Sequence, residues 1–168
     1  GFKAVIYLLA TPHETNYWDK DSGAPQLPLM NTQQRQEISQ FMEIGSHGFD
    51  HKKLTEMNLE EARHEIAESK NVLEKEFQQT IYSYAYTYGI RHDFSSALAY
   101  NAGYKYAVNT TSGGFHHEDD PFSLFRVSIF PTDDANSLKR KTKSWYRKYY
   151  YLKRNELTWL IITAIVYE

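Results

Sequence analysis

Apolar and polar positions along the chain alternate between two periods, one of a buried sheet and one of surface helices. Ala4–Ala10 is an unbroken apolar run, as in a strand covered on both faces of a parallel sheet. Leu59, Ala62, Ile66, Leu73 and Phe77 recur at helical spacing with Glu and Lys on the opposite side. Asn58 stands where an N-cap belongs, and Glu61, three residues on, completes a capping box, so the pattern predicts a helix over Leu59–Phe77. Thr32–Met42 reads as a short helix and Glu43–Ser46 as a short strand. Thr80–Tyr86 reads as a strand, Asp93–Ala102 as a helix and Tyr104–Asn109 as a strand, with Gly103 as the helix C-cap. Strands alternating with helices predict an α/β domain with a largely parallel sheet. Thr11–Asn31, with Pro12, Pro25, Pro28 and Gly23, reads as a loop longer than compact domains usually tolerate without a function, and so as a functional rim.

Composition narrows this picture. At 168 residues the chain suits one domain, 1–168, and falls short of the ~200–250 residues of a full eight-stranded α/β barrel. Nineteen Lys and Arg against 21 Asp and Glu give a net charge of −2 and no global basic field, which argues against nucleic acid as a partner. The absence of cysteine excludes disulfides, thiol catalysis and Cys-ligated zinc. Fourteen tyrosines hint at sugar-facing or interfacial surfaces. The sequence opens on a strand without an initiator Met or signal-peptide pattern, as expected of a fragment or processed form. The apolar run Leu157–Tyr167 is shorter than the ~20 residues of a membrane span and predicts a buried strand or short helix.

The stretch Glu43-Ile-Gly-Ser-His-Gly-Phe-Asp-His51 carries the strongest chemical signal. His47 and His51 lie four apart after a strand, where two imidazoles can aim at one divalent metal. The carboxyl ends of strands are also where open α/β sheets collect ligands. This stretch, continued by Lys52-Lys-Leu54 and a capped helix, resembles the second motif of the polysaccharide deacetylases, the NodB-homology family. Gly1-Phe-Lys-Ala-Val-Ile-Tyr-Leu8 is similar to the family's second strand. Tyr84-Ala-Tyr-Thr-Tyr-Gly89 stands where the family carries Phe-Arg-Pro-Pro-Tyr-Gly or Phe-Ala-Tyr-Pro-Tyr-Gly, and Ala97–Val108 resembles the following helix and strand. The resemblance covers roughly residues 1–130.

The resemblance implies a deformed, incomplete (β/α) barrel. It also implies metal-dependent removal of acetyl groups from N-acetylhexosamine polysaccharide such as biofilm polysaccharide, peptidoglycan or chitin. His47 and His51 match the family's two His ligands for a divalent metal, most often zinc. Tyr88 matches the residue whose backbone N–H meets the oxyanion, a charge that the metal also stabilises. Tyr84, Tyr86 and His13 are the candidate substrate contacts, and the family's setting implies a secreted or cell-envelope location.

The sequence departs from the family pattern in several places. The Thr-Phe-Asp-Asp motif, source of the base and the third ligand, belongs before the opening strand and is not in the sequence, so this chain alone is expected to be impaired. Asp133-Asp134 comes too late in the chain to replace it. Ala85 stands for the motif's Arg and Thr87 for its Pro, and no late strand ends in His. His116-His-Glu-Asp-Asp120 is rich in potential ligands but reads as a solvated loop, and His64 and His92 read as surface positions.

Leu138–Arg154 holds eight basic residues, Trp145, Tyr146 and Tyr149–Tyr151, and no acid. It predicts a helix capped by Asn136 or Ser137, with Trp145, Tyr149 and Leu152 toward the sheet. The alternative use for its Lys139–Arg154 face is contact with an anionic envelope surface. Two rival functions stay open: a non-catalytic relative that binds glycan or a partner, and an unrelated α/β domain hydrolysing a small amide.

Overall fold

The computed structural model describes residues 3–90, 92–110, 120–124 and 126–154. Strand β1 (Val5–Leu8), helix α1 (Thr32–Ile38), β2 (Glu43–Ser46), α2 (Leu59–Phe77), β3 (Ser83–Ala85), α3 (Ser95–Asn101) and β4 (Tyr106–Val108) follow one another in strict alternation. The four strands form one parallel sheet in the order β1-β2-β3-β4. Each strand therefore lies beside its predecessor, and right-handed crossovers put the intervening helices on one face. That is the winding of a (β/α) barrel; a doubly wound sheet reverses its strand order midway. The described strands make an arc of such a barrel, in agreement with the expected fold class.

Helix α2 runs over the predicted span, and the Asn58–Glu61 capping box is formed in both directions. Its stripe of Ala62, Ile66 and Leu73 is fully buried against Ile44, Leu54, Ile81, Tyr84 and Tyr104. Helix α1 stops four residues early, where the Gln40 and Phe41 N–H groups bond carbonyls three residues back, those of Glu37 and Ile38, and not four. Strand β3 starts later than Thr80 because α2 side chains take the Ile81 peptide groups. Glu74 accepts the Ile81 N–H at 2.9 Å and Lys70 donates to its carbonyl at 2.6 Å. Buried Arg35 pairs bidentately with Glu76 (2.8 and 2.6 Å) and donates to the Leu9 carbonyl at 3.0 Å, fixing the exit of β1.

The basic segment departs from expectation. It forms two helices, α4 (Ala135–Lys141) and α5 (Ser144–Arg154), and Asp134 caps the first by accepting the Ser137 N–H. Trp145 and Tyr149 are 51% and 45% exposed, so they face solvent and not the sheet. Asp133 binds Lys141 at 2.6 Å, which holds its carboxyl down at about 2. The Asp133-Asp134 pair is thus spent on local structure. The expected elements at residues 116–119 and 157–167 lie outside the described residues.

Candidate metal and substrate site

The loops after the strands converge at one end of the sheet, and the two histidines lie there. His47 follows β2 directly, its N–H bonded to the Leu8 carbonyl at 2.8 Å. Its ring Nδ1 faces the Ala85 carbonyl at 2.8 Å. A carbonyl only accepts, so Nδ1 carries the proton and Nε2 keeps its lone pair in the neutral ring. Burial, the largest influence, lowers the His47 pKa.

His51 closes the loop in the left-handed region, at φ 54°. Its ring centroid lies 5.0 Å from that of His47, stacks on Trp18 at 4.1 Å and meets Tyr88 at 4.9 Å. Burial first, and the neighbouring His47 second, bring its pKa down to about 4. Nδ1 of His51 is buried with no partner. Two neutral, convergent imidazoles with an unsatisfied ring nitrogen fit two positions of a divalent-metal site. Among the described residues, however, no group of three His, Asp, Glu or Cys side chains could hold a metal. Asp50 turns to His13 (2.8 Å) and Lys52 (3.5 Å) instead.

Three further elements complete the wall. The turn Thr87–Gly89 places Tyr88 at φ 56°, 40% exposed, with Lys53 Nζ 5.5 Å over its ring. Such a conformation costs a bulky residue on the order of 1–3 kcal/mol and persists where neighbours impose it. Here Gly89 packs so closely on Thr110 that a Cβ would come within 2.1 Å of its hydroxyl, so the turn has little freedom to relax. His13 lies on the rim, edge-on to Tyr17 at 4.9 Å. An open groove of about 890 Å³ runs past Tyr17, Trp18, Phe49, His51 and Tyr88. A smaller pocket of about 180 Å³ lies beside His47, His13 and Arg35, and Trp18 borders both.

Of the sequence-predicted residues, His47, His51, Tyr88 and His13 come together. Tyr84 and Tyr86 do not: both rings are wholly buried in the core, and the Tyr86 hydroxyl donates to the Phe122 carbonyl at 3.1 Å. They support the site from behind and present no surface to a substrate. His64 is exposed, as expected, whereas His92 is half-buried and stacks on Phe94 at 4.0 Å. The sequence reading missed Trp18 and Glu65. Trp18 was signalled by an aromatic pair in a polar, proline-rich loop, and Glu65 by a carboxylate on the buried stripe of α2.

Comparison with known proteins agrees with this geometry. The family model for polysaccharide deacetylase matches residues 1–107. YxkH of Bacillus subtilis (strain 168), placed among polysaccharide deacetylases by its name, is 26% identical over 132 residues, 78% of this chain and 43% of its own. The structure of the Streptococcus pyogenes deacetylase PplD superposes with a TM-score of 0.69 at 22% identity, over 84% of this chain and 59% of that one. BA0330 of Bacillus anthracis, also named for this activity, gives a TM-score of 0.64 at 23% identity, over 84% of this chain and 42% of its own. The chain thus spans about half the length of these relatives. With the family model covering well over half of its residues, the chain belongs to the polysaccharide deacetylase family.

Proposed function

We propose that this chain carries the histidine half of a zinc-type metal site in a deacetylase acting on N-acetylhexosamine polysaccharide. The observation that carries the reading is the convergence of neutral His47 and His51 at the end of β2, beside an aromatic-walled groove. In the reaction water adds to the acetyl carbon, the C–N bond breaks, and acetate and a free amine leave. A bound divalent metal supplies Lewis-acid polarisation of the acyl oxygen. His47 and His51 hold that metal, with the Ala85 carbonyl fixing the His47 tautomer. The Tyr88 N–H meets charge developing on the acyl oxygen, and its ring, with Trp18 and Tyr17, offers flat apolar faces to sugar rings. His13 borders the site on the opposite rim. Acetate in the related Streptococcus structure is the acid product that such a reaction releases.

No third ligand joins the two histidines among the described residues. Two ligands without a third also suit the second reading, a relative that binds glycan without cleaving it. Acetate release from acetylated glucosamine oligomers, assayed on the full-length protein with zinc or cobalt, separates the two. Release that disappears in His47→Ala supports the enzyme. Oligomer binding without release supports the binder.

The same reading places the protein at the cell envelope or outside the cell. Exposed Trp145 and Tyr149 among the basic residues of α4 and α5 support contact with an anionic envelope surface. Sedimentation with phosphatidylglycerol vesicles tests this contact. Equal binding after Lys139, Arg140 and Lys143 are changed to Gln removes it.

A further inference from the structure

The loop that carries both histidines is short, sharply curved and held by very few atoms. Two of its carbonyls face the exit of β1: the Ala10 N–H donates to Gly48 O at 3.0 Å and the Thr11 N–H to Phe49 O at 2.9 Å. The Phe49 and Asp50 N–H groups face the other way, toward α2. There one atom, Glu65 Oε1, accepts from Phe49 and from Asp50, each at 2.9 Å. Glu65 is only 3% exposed, and it is the one carboxylate among the buried residues of α2. Gly48 makes this approach feasible. It adopts φ 95°, and a Cβ there would lie 2.8 Å from Glu65 Oε1. A third hold comes from Thr87, whose hydroxyl donates to the Lys52 carbonyl at 2.6 Å.

We propose that Glu65 is the positioning residue of the histidine pair: through the Phe49 and Asp50 amides it sets the loop curvature that brings His51 opposite His47. Gly48 is its counterpart, the residue whose missing side chain leaves room for the carboxylate. This inference rests on the metal-site reading above and names the device that makes two histidines four residues apart converge without a helical turn. Buried amides left without an acceptor would either carry a desolvation penalty or turn outward to water, and turning outward carries His51 away with them. Outer partners that orient ligands typically change metal affinity ~10–100-fold when removed.

The test compares Glu65→Ala, Glu65→Asp and Glu65→Gln in the whole chain, with two readouts. The first is amide hydrogen exchange in metal-free protein. Phe49 and Asp50 should exchange at least ~10-fold faster in the Ala and Asp variants, while amides of β3 and β4 keep their rates. The Asp variant retains the charge but withdraws the oxygen, and serves if the Ala variant fails to fold. Gln keeps an acceptor oxygen at full reach and should restore wild-type protection. The second readout is zinc binding by titration, which should weaken ~10-fold in the Ala and Asp variants and recover in the Gln variant. Wild-type exchange at Phe49 and Asp50 in both short variants overturns the proposal. So does unchanged zinc affinity with the loop loosened, or a Gln variant that behaves like Ala. If wild-type and His47→Ala bind zinc equally, the metal reading fails, and the amide exchange alone then decides whether Glu65 holds the loop.

Discussion

Two segments carry conspicuous chemistry in the sequence, and they differ in how they are held. The His47–Lys53 loop is tied to three elements: the exit of β1, the inner face of α2 and the turn after β3. The α4–α5 segment satisfies itself mostly locally, through the Asp134 cap and Asp133 on Lys141, and leaves Trp145 and Tyr149 exposed. Both are dense in functional side chains. Only the first has its backbone fixed from several directions, which is what a site needs if two rings must stay in register. Clustering in sequence shows where chemistry is available; anchoring in the fold shows where it is precise.

The comparison breaks most directly at the first segment. His47→Ala removes one of the two proposed ligands, so zinc affinity should fall by more than the ~10–100-fold typical of an outer partner, as read by calorimetric titration. Equal affinity in both proteins would falsify the ligand assignment. Next in size is the support beneath the loop. Ile66 is fully buried one residue beyond Glu65, and Ile66→Ala should cost ~2–5 kcal/mol in urea unfolding. A cost under 1 kcal/mol would mean that α2 does not bear on the core as described.

Much of the frame around this loop was legible beforehand, its anchors were not, and the misses have physical causes. Helix α2 was readable to the residue because its cap, stripe and charged face all agree. The approach of His47 and His51 was readable because the two rings lie four residues apart, just after a strand. Burial of Tyr84 and Tyr86 was not, since a motif gives the order of residues but not which face of a three-residue strand and its exit turn each ring takes. Glu65 was legible in principle, as a lone carboxylate in register with Ala62, Ile66 and Leu73, but its amide partners lie 15 and 16 residues away. The break between α4 and α5 had no strong signal, because Thr142, Lys143 and Ser144 neither forbid a helix nor favour it.

Acidification should separate the segments by pH window. In metal-free protein the His47 and His51 pKa values lie below their ordinary value, that of His51 at about 4. The unfolded chain therefore binds protons first, and stability present above about pH 6.5 is lost as pH falls toward 4. Asp133, held at about 2 by Lys141, contributes stability present above the ordinary carboxylate range and loses it only below about pH 4, as pH falls toward 2. Urea midpoints across pH 7 to 4 should fall in wild type and flatten in His51→Gln, while Asp133→Asn leaves that slope unchanged. A slope insensitive to His51 would mean that its ring is more solvated than its contact with Trp18 allows.

The smallest effect should come from the most conspicuous side chain. Trp145 is half-exposed and touches mainly its helical neighbours Tyr146 and Tyr149. Exposed substitutions away from caps and cores usually change stability by no more than ~0.5 kcal/mol, so Trp145→Ala should leave the urea midpoint almost unmoved. It should leave zinc affinity unmoved as well, since its ring contacts are with Tyr146 and Tyr149 of its own helix. Its effect should appear only in vesicle sedimentation, where an interfacial aromatic is worth more than it is in water. A stability loss above 1 kcal/mol would place Trp145 in a packed interface and undo the contrast between the two segments.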